Sequence, residues 1–184
     1  MSLLHHDHTT EAIRERLEAG PQASYLRDWV YGGIDGAVTT FAIVSGVVGA
    51  NLSTGIILVL GAANIVADGF SMAASNYTGI KAEHEEYALM RAHEEHQIIH
   101  DRTGETEEVR EIFRAKGFDG ADLERAVEII TSDDKRWVST MMTEEYCVPL
   151  GKRSAVMAAT GTFIAFLLCG LVPLLPFTVT PAAV

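Results

Sequence analysis

Three long apolar stretches with almost no charged side chains constrain the fold of this chain more than any other feature. They cover approximately residues 32–50, 54–80 and 154–172. Each is close to the roughly 20 apolar residues that an α-helix needs to cross a bilayer. The sequence therefore predicts an all-α, polytopic membrane protein with three transmembrane helices in this chain.

The charged residues are concentrated between the second and third stretches. The net charge is −11 although 48% of the residues are hydrophobic, and residues 81–153 carry most of the acidic side chains. This segregation predicts a soluble helical domain, with helices near 81–100, 105–116, 119–131 and 133–148 and a turn at 101–104. The acidic balance suits cations and argues against nucleic acid as a partner, because nucleic acids bind Lys/Arg-rich surfaces.

These patterns divide the chain into four segments. Residues 1–31 form a polar tail with an amphipathic helix, 32–80 a hairpin of two spans, 81–153 the acidic domain, and 154–184 the third span and a C-terminal tail. The tail has no secretory apolar region, so we expect no cleaved signal. Arginine and lysine residues flank the spans on the side of the acidic domain, which the positive-inside rule assigns to the cytosol.

One face of the first span is small and partly polar. It is formed by Asp35, Thr39, Ala42, Gly46 and Gly49. Small residues let a neighbouring helix backbone approach closely. Because only a short connection follows, we expect the first two spans to pack as a tight antiparallel hairpin through this face.

Polar side chains also recur inside the second span. Asn64, Asp68 and Met72 lie one helical turn apart, and Asp35 is the one ionisable residue of the first span. A carboxylate costs about 2.5 kcal/mol or more at the bilayer centre and usually serves ions, protons or a partner there. A thioether beside oxygen ligands favours a transition metal. Two alternatives stay open: Asp35 could lie at the membrane interface, and Met72 could only pack.

The helix that continues from the second span carries a polar stripe. Five side chains share this face: Glu83, Glu86, Met90, Glu94 and Gln97. Three histidines flank it: His93, His96 and His100. A solvated helix face has the same spacing, so the stripe alone leaves metal binding and solvation as alternatives.

Two further groups in the acidic domain add candidate metal ligands. One helix opens with Glu105, Glu107 and Glu108, and a later one carries Met141, Met142 and Glu145. Carboxylate, imidazole and thioether together suit Fe(II), Mn(II), Co(II) or Zn(II) better than Ca(II). Acidic residues in a first turn also suit the helix dipole, which is the competing explanation.

Motifs for other functions are absent from the sequence. It contains no CxxC or HExxH pattern, no phosphate-binding glycine loop and no nucleophile elbow. We therefore expect no enzymatic activity and no organic cofactor. A run near the N-terminus, His5-His6-Asp7-His8, could bind metal or belong to a disordered start.

Taken together, the segments resemble the vacuolar iron transporter family. The resemblance is carried by DGAVTTFAIVSG, ANIVADGFSMAASNY, MMTEE and GLVPLLPF. It implies a homodimer of five-helix protomers, with a cytosolic helical metal-binding domain inserted between the second and third transmembrane helices. It also implies export of Fe(II), or another divalent metal such as Mn(II), from the cytosol in exchange for protons. The membrane would be the plasma membrane of a bacterium or the vacuolar membrane of a eukaryote.

The resemblance assigns roles residue by residue. Asp35 and Met72 match pore residues. Asn64 stands where some members have a glutamate, so one proton-carrying group is either absent or replaced by Asp68. In the acidic domain six residues match the metal-binding pattern: Glu94, Glu105, Glu108, Met141, Met142 and Glu145. Gln97 stands where the family often has a further glutamate, so an oxygen ligand is kept and a charge is lost unless a nearby histidine compensates.

The main departure from the family is the number of spans. Family members continue with two more, whereas this sequence ends at Val184. We expect either part of a longer transporter or a shortened member. The corresponding functions are proton-coupled metal transport and, as the alternative, a membrane-anchored metal buffer or sensor. A third hypothesis is a structural membrane protein whose acidic domain binds a protein partner.

Overall fold

The computed structural model describes residues 7–20, 23–148 and 153–179, and in these ranges all regular structure is helical. The helices are α1 (Thr10–Ala19), α2 (Leu26–Gly49), α3 (Thr54–His100), α4 (Arg102–Ala115), α5 (Gly120–Thr131), α6 (Asp134–Glu144), α7 (Ala155–Leu171), a 3₁₀ turn (Val172–Leu174) and α8 (Leu175–Val179). The candidate ligands His5 and His6 lie outside the described residues.

Three helical segments are long and apolar enough to cross a membrane, which confirms the predicted fold class. They are Leu26–Gly49, Thr54–His100 and Ala155–Val179. The first has 24 residues, or about 36 Å at about 1.5 Å per residue, against a hydrocarbon core of about 30 Å. The third continues past its predicted end because Pro173 falls at the start of the 3₁₀ turn, where a missing N–H is tolerated.

Helix α2 begins earlier than the sequence suggested. Its first residue is Leu26, whereas the first span was predicted to begin near residue 32. The early start includes Asp28, which lies in the segment predicted to be a polar tail. The structure neutralises this charge with Arg153, so the helix can begin before the uncharged stretch.

Helix α3 is continuous from the apolar stretch into the charged one, as the absence of a helix breaker predicted. It has 47 residues, about 70 Å at about 1.5 Å per residue, which is more than twice the bilayer core. Only its apolar N-terminal part, up to about residue 80, can therefore span a membrane. The polar remainder lies outside the membrane-spanning segments.

The chain forms two compact units. The membrane unit comprises Ala23–Ala82 and Lys152–Val184, and the acidic unit comprises Met1–Gln22 and Glu83–Gly151. Helix α3 contributes residues to both of them. Each unit has its own buried apolar cluster, which is described separately below.

In the membrane unit the closest helix approach joins α2 to α7. A Cβ added at Gly36 would lie 2.9 Å from the Phe166 Cα, and one at Gly32 would lie 3.0 Å from the Thr162 Cα. Gly46 and Gly49 have no neighbour within 4 Å at the same position. The predicted small face therefore does not make the tightest contact, because the glycines that contact α7 lie roughly three to five turns earlier on α2.

An apolar cluster of the membrane unit joins the end of α2 and the first part of α3 to the 3₁₀ turn. Its buried members are Val44, Val47, Ile57, Ile65 and Leu174. A side-chain hydrogen bond links α3 to α2: Asn64 Nδ2 donates to Thr39 Oγ1 at 3.2 Å. The close backbone contact of α2, in contrast, is with α7.

The acidic unit packs α4, α5 and α6 against the end of α3. Its buried core consists of Ile98, Val109, Leu123, Val127, Trp137, Val138, Met141 and Met142. The turn predicted at 101–104 is instead the start of α4, because the Asp101 carboxylate accepts the Gly104 N–H at 3.0 Å. Helix α6 ends at Glu144, before its predicted end at residue 148, and Cys147 has a φ of 55°.

Candidate metal-binding and pore sites

Two glutamates with buried side chains face each other in the acidic unit. Glu94 on α3 is 1% exposed, and Glu105 in the first turn of α4 is 5% exposed. Each carboxyl group shifts the pKa of the other. Glu94 Oε1 and Glu105 Oε2 have no hydrogen-bond partner among the described residues. A buried carboxylate without a partner is costly, so this pair favours a bound proton or a bound cation.

Burial and mutual repulsion shift the protonation of this cluster. Burial raises the pKa of Glu94 to about 8, and repulsion from Glu105, Glu145 and Glu108 adds to the shift. Burial also raises the pKa of Glu105, with repulsion from Glu108 next, while the neighbouring His93 partly offsets it. The protein alone therefore keeps a proton on Glu94 well above the usual range of a carboxylic acid, and it shifts the pKa of Glu105 in the same direction.

Glu108 and Glu145 lie at the rim of the buried pair. Both residues are exposed. Partial desolvation of its carboxyl group raises the pKa of Glu145, and repulsion from Glu108 and Glu105 contributes further. The four glutamates that match the family's metal-binding pattern are thus close enough to influence one another electrostatically. Glu94 and Glu105 are buried, whereas Glu108 and Glu145 are exposed. Gln97 is half-buried on α3.

Tyr146 belongs to the same cluster, although the sequence analysis did not name it. Its hydroxyl donates to Glu94 Oε2 at 3.4 Å. Burial, followed by repulsion from Glu145 and Glu94, raises the pKa of Tyr146 to about 12. The phenol therefore stays neutral and acts as a donor. Its position directly after Glu145 was the only signal available in the sequence.

Met141 and Met142 are fully buried in the core of the acidic unit. Both side chains are 0% exposed and belong to the cluster that also holds Trp137 and Val109. Within residues 7–20, 23–148 and 153–179, no group of three or more His, Cys, Asp or Glu side chains is close enough to hold a metal ion. The glutamates are thus near one another but not drawn together around a common point.

The candidate pore residues all belong to the membrane unit. Asp35, Asn64 and Met72 are half-buried, and Asp68 is exposed. Asn64 reaches Thr39, whose hydroxyl donates to the Asp35 backbone carbonyl at 2.8 Å. The structure therefore connects Asn64 to the helical turn that carries Asp35.

Met72 lines a cavity of about 310 Å³ in the membrane unit. The other residues that line it are Arg27, Asp28, Tyr31, Ser71, Ser75, Asn76 and Thr162. Asp35, Asn64 and Asp68 are not among these residues. Within one chain, Met72 thus shares this cavity with polar groups near the start of α2 and not with the other three candidate pore residues.

A buried ion pair next to this cavity was missed by the sequence analysis. Asp28 is 2% exposed, and its Oδ2 accepts a bond from the Arg153 guanidinium at 2.5 Å. Its Oδ1 accepts from Asn76 Nδ2 at 2.9 Å. Asn76 Nδ2 also donates to Thr162 Oγ1 at 2.8 Å. This network joins α2 and α3 to the middle of α7, through Thr162, and to Arg153, which precedes that helix.

The fold and these groups define a class: a helical membrane protein with an acidic helical unit whose buried carboxyl groups pair with no lysine or arginine among the described residues. The chain belongs to the VIT family, whose model matches residues 26–184. The resemblance inferred from the sequence motifs is thereby confirmed.

Curated relatives are similar over most of this chain. It is 37% identical over 163 residues to a vacuolar iron transporter of Toxoplasma gondii, which covers 84% of this chain and 52% of that protein. It is 32% identical over 179 residues to vacuolar iron transporter 1 of Arabidopsis thaliana, covering 96% and 69%. For vacuolar iron transporter 1 of Eucalyptus grandis the identity is 34%, covering 86% and 64%. The chain therefore spans between about half and two thirds of the length of these relatives.

Proposed function

We propose that this protein exports a divalent transition metal ion from the cytosol in exchange for protons, with Fe(II) as the main substrate and Mn(II) as a second. The relatives named above are vacuolar iron transporters, and the fold supplies membrane-spanning helices and acidic groups. The observation that carries the proposal is the facing pair Glu94 and Glu105, buried and without a cationic partner among the described residues.

The acidic unit captures the ion in this proposal. Without metal, the raised pKa of Glu94 keeps a proton in the cluster. A divalent ion competes with that proton, because carboxylates must be deprotonated to act as ligands. Glu108 and Glu145 at the rim attract the cation, and Gln97 contributes a neutral oxygen. Met141 and Met142 act as soft ligands only if a side chain turns out of the core.

The membrane unit carries the ion across in this proposal. Asp35 binds either a proton or a metal ion, and this alternation couples the two fluxes. Met72 supplies an uncharged soft ligand that selects transition metals over Ca(II) and Mg(II). Asn64 and Asp68 complete the polar path. We propose that a second copy contributes the same residues, so that a homodimer forms the complete pore in the bilayer.

The Asp35→Asn substitution tests the transport proposal. Asparagine has nearly the same shape but can neither exchange a proton nor supply a charge. We expect proteoliposomes containing this variant to lose Fe(II) uptake and the accompanying pH change. The exposed Asp122→Asn substitution on α5 is the matched control and should leave both unchanged. Uptake by Asp35→Asn at the unsubstituted rate would contradict the proposal.

The alternative is a membrane-anchored buffer or sensor that binds metal without moving it. It is favoured by one observation: the predicted ligands Glu94 to Glu145 all belong to one compact unit. The same liposomes separate the two functions. A buffer would bind Fe(II) at equilibrium while the unsubstituted protein produced no flux into the vesicle lumen.

A further inference from the structure

Two exposed histidines of α3 form a stacked pair that the function proposed above does not use. His96 and His100 are four residues apart, which places them one helical turn apart on the same face. Their ring centroids are 3.8 Å apart, and the ring planes differ by 16°. Two imidazoles at this spacing on a helix can bind the same metal ion. Because stacked rings direct their nitrogen lone pairs in parallel, binding one ion through both rings requires the exposed His96 ring to rotate out of the stack.

The hydrogen bond of His100 leaves one nitrogen of its ring available for metal. His100 Nδ1 lies 2.8 Å from the His96 backbone carbonyl oxygen. A carbonyl only accepts, so Nδ1 carries the hydrogen, and Nε2 of the neutral ring keeps its lone pair. Metal-binding histidines commonly donate their other N–H to a carbonyl, which fixes the orientation of the ring.

The surroundings of the pair provide no third strong ligand. The neighbouring Glu95 is already paired with Arg91 at 2.9 Å. In the ranges that the structure describes, no cluster of three His, Cys, Asp or Glu groups could hold a metal ion. An ion at the pair would therefore have two imidazole ligands and complete its coordination with water.

We propose that His96 and His100 form a second metal site, selective for late first-row divalent ions such as Cu(II), Ni(II) and Zn(II). Imidazole suits these ions, and their affinity for such ligands exceeds that of Mn(II) and Fe(II). The carboxyl cluster offers oxygen ligands, which also suit harder ions such as Mn(II). The acidic unit thus binds two classes of metal at separate places, and this inference does not depend on transport.

Cu(II) binding to the full-length chain in detergent tests this site. His5, His6 and His8 would also bind Cu(II), so all three are first replaced by glutamine to give the background protein. We expect one equivalent of Cu(II) to give an electron paramagnetic resonance spectrum of two-nitrogen coordination. His96→Gln and His100→Gln should each lower the Cu(II) affinity on the order of 10²-fold, because chelation by a second linked ligand is lost.

His84→Gln is the matched control, since His84 lies on the same helix three turns away. It should keep the affinity and the two-nitrogen spectrum. Mn(II) binding should be equal in all variants, which shows that the acidic unit remains folded. The proposal is overturned if His96→Gln and His100→Gln retain the two-nitrogen spectrum, or if His84→Gln weakens Cu(II) binding as strongly as they do.

Discussion

The close contact between α2 and α7 predicts that the same substitution, glycine to alanine, changes thermal stability very differently at two positions of α2. In Gly36→Ala the new Cβ would lie 2.9 Å from the Phe166 Cα and still closer to the Phe166 carbonyl oxygen. Ordinary contact begins at 3.4 Å, so the two helices must separate by at least about 0.5 Å. In Gly46→Ala the Cβ meets no atom within 4 Å.

The comparison isolates the cost of the contact. Alanine gains about 1 kcal/mol of helix propensity over glycine at either position, so this gain cancels between the two variants. Overpacking typically costs about 1–3 kcal/mol, and the obstacle here is backbone, which cannot rotate away. We therefore expect Gly36→Ala to unfold below Gly46→Ala by roughly 3 to 9 °C, at about 3 °C for each kcal/mol.

Thermal unfolding in detergent, followed by circular dichroism, measures this difference. The proteins should be compared in the same micelle, because the surrounding detergent contributes to stability. Equal midpoints for the two variants would refute the argument that the glycines of α2 permit its contact with α7. A midpoint for Gly46→Ala as low as that of Gly36→Ala would refute it equally.

Two further predictions concern the charged groups. Asp28→Asn leaves the Arg153 guanidinium without its carboxylate and should lower the free energy of unfolding by about 3 kcal/mol, whereas the exposed Asp68→Asn should change it little in chemical denaturation. Because burial raises the pKa of Glu94 from its ordinary 4.5 to about 8, the folded metal-free protein holds an extra proton between these values. With a chelator present to remove metal, the contribution of Glu94 to the free energy of unfolding should therefore be most favourable below about pH 4.5. It should fall as the pH rises towards 8, by at most about 1.4 kcal/mol per pH unit. Glu94→Gln should flatten this slope and the exposed Glu86→Gln should not; a Glu94→Gln slope equal to that of the unsubstituted protein would contradict the assignment.

Local features of the fold were predictable because they depend on nearby residues. The bounds of α1 follow from its apolar spacing and from Gly20, and the length of α3 follows from the absence of a breaker between residues 54 and 100. The glutamates around Glu94 were named from spacing and family pattern. Their raised pKa values were not, because a sequence does not reveal which side of a helix is covered.

Long-range contacts were the part that sequence reasoning could not supply. Asp28 and Arg153 are 125 positions apart. No periodicity relates the two residues, and their separate charges suggested two polar flanks instead of one buried ion pair. The same holds for Gly32 and Gly36, whose role depends on the backbone of α7. The sequence showed that small residues were present in the first span but not which of them had a neighbour.

Comparison of the buried acids distinguishes a structural role from a functional one. Asp28 is buried against Arg153, so its charge is compensated by the chain itself. Glu94 and Glu105 are equally buried, yet no lysine or arginine pairs with either of them in the described ranges. Their compensation must come from outside the chain, as protons or as a cation that can leave again. A carboxylate paired within the fold stabilises that fold, whereas an unpaired buried carboxylate reduces stability until an exchangeable ion arrives. The acidic unit therefore has the property that a metal-capturing site requires: its stability and its occupancy are linked.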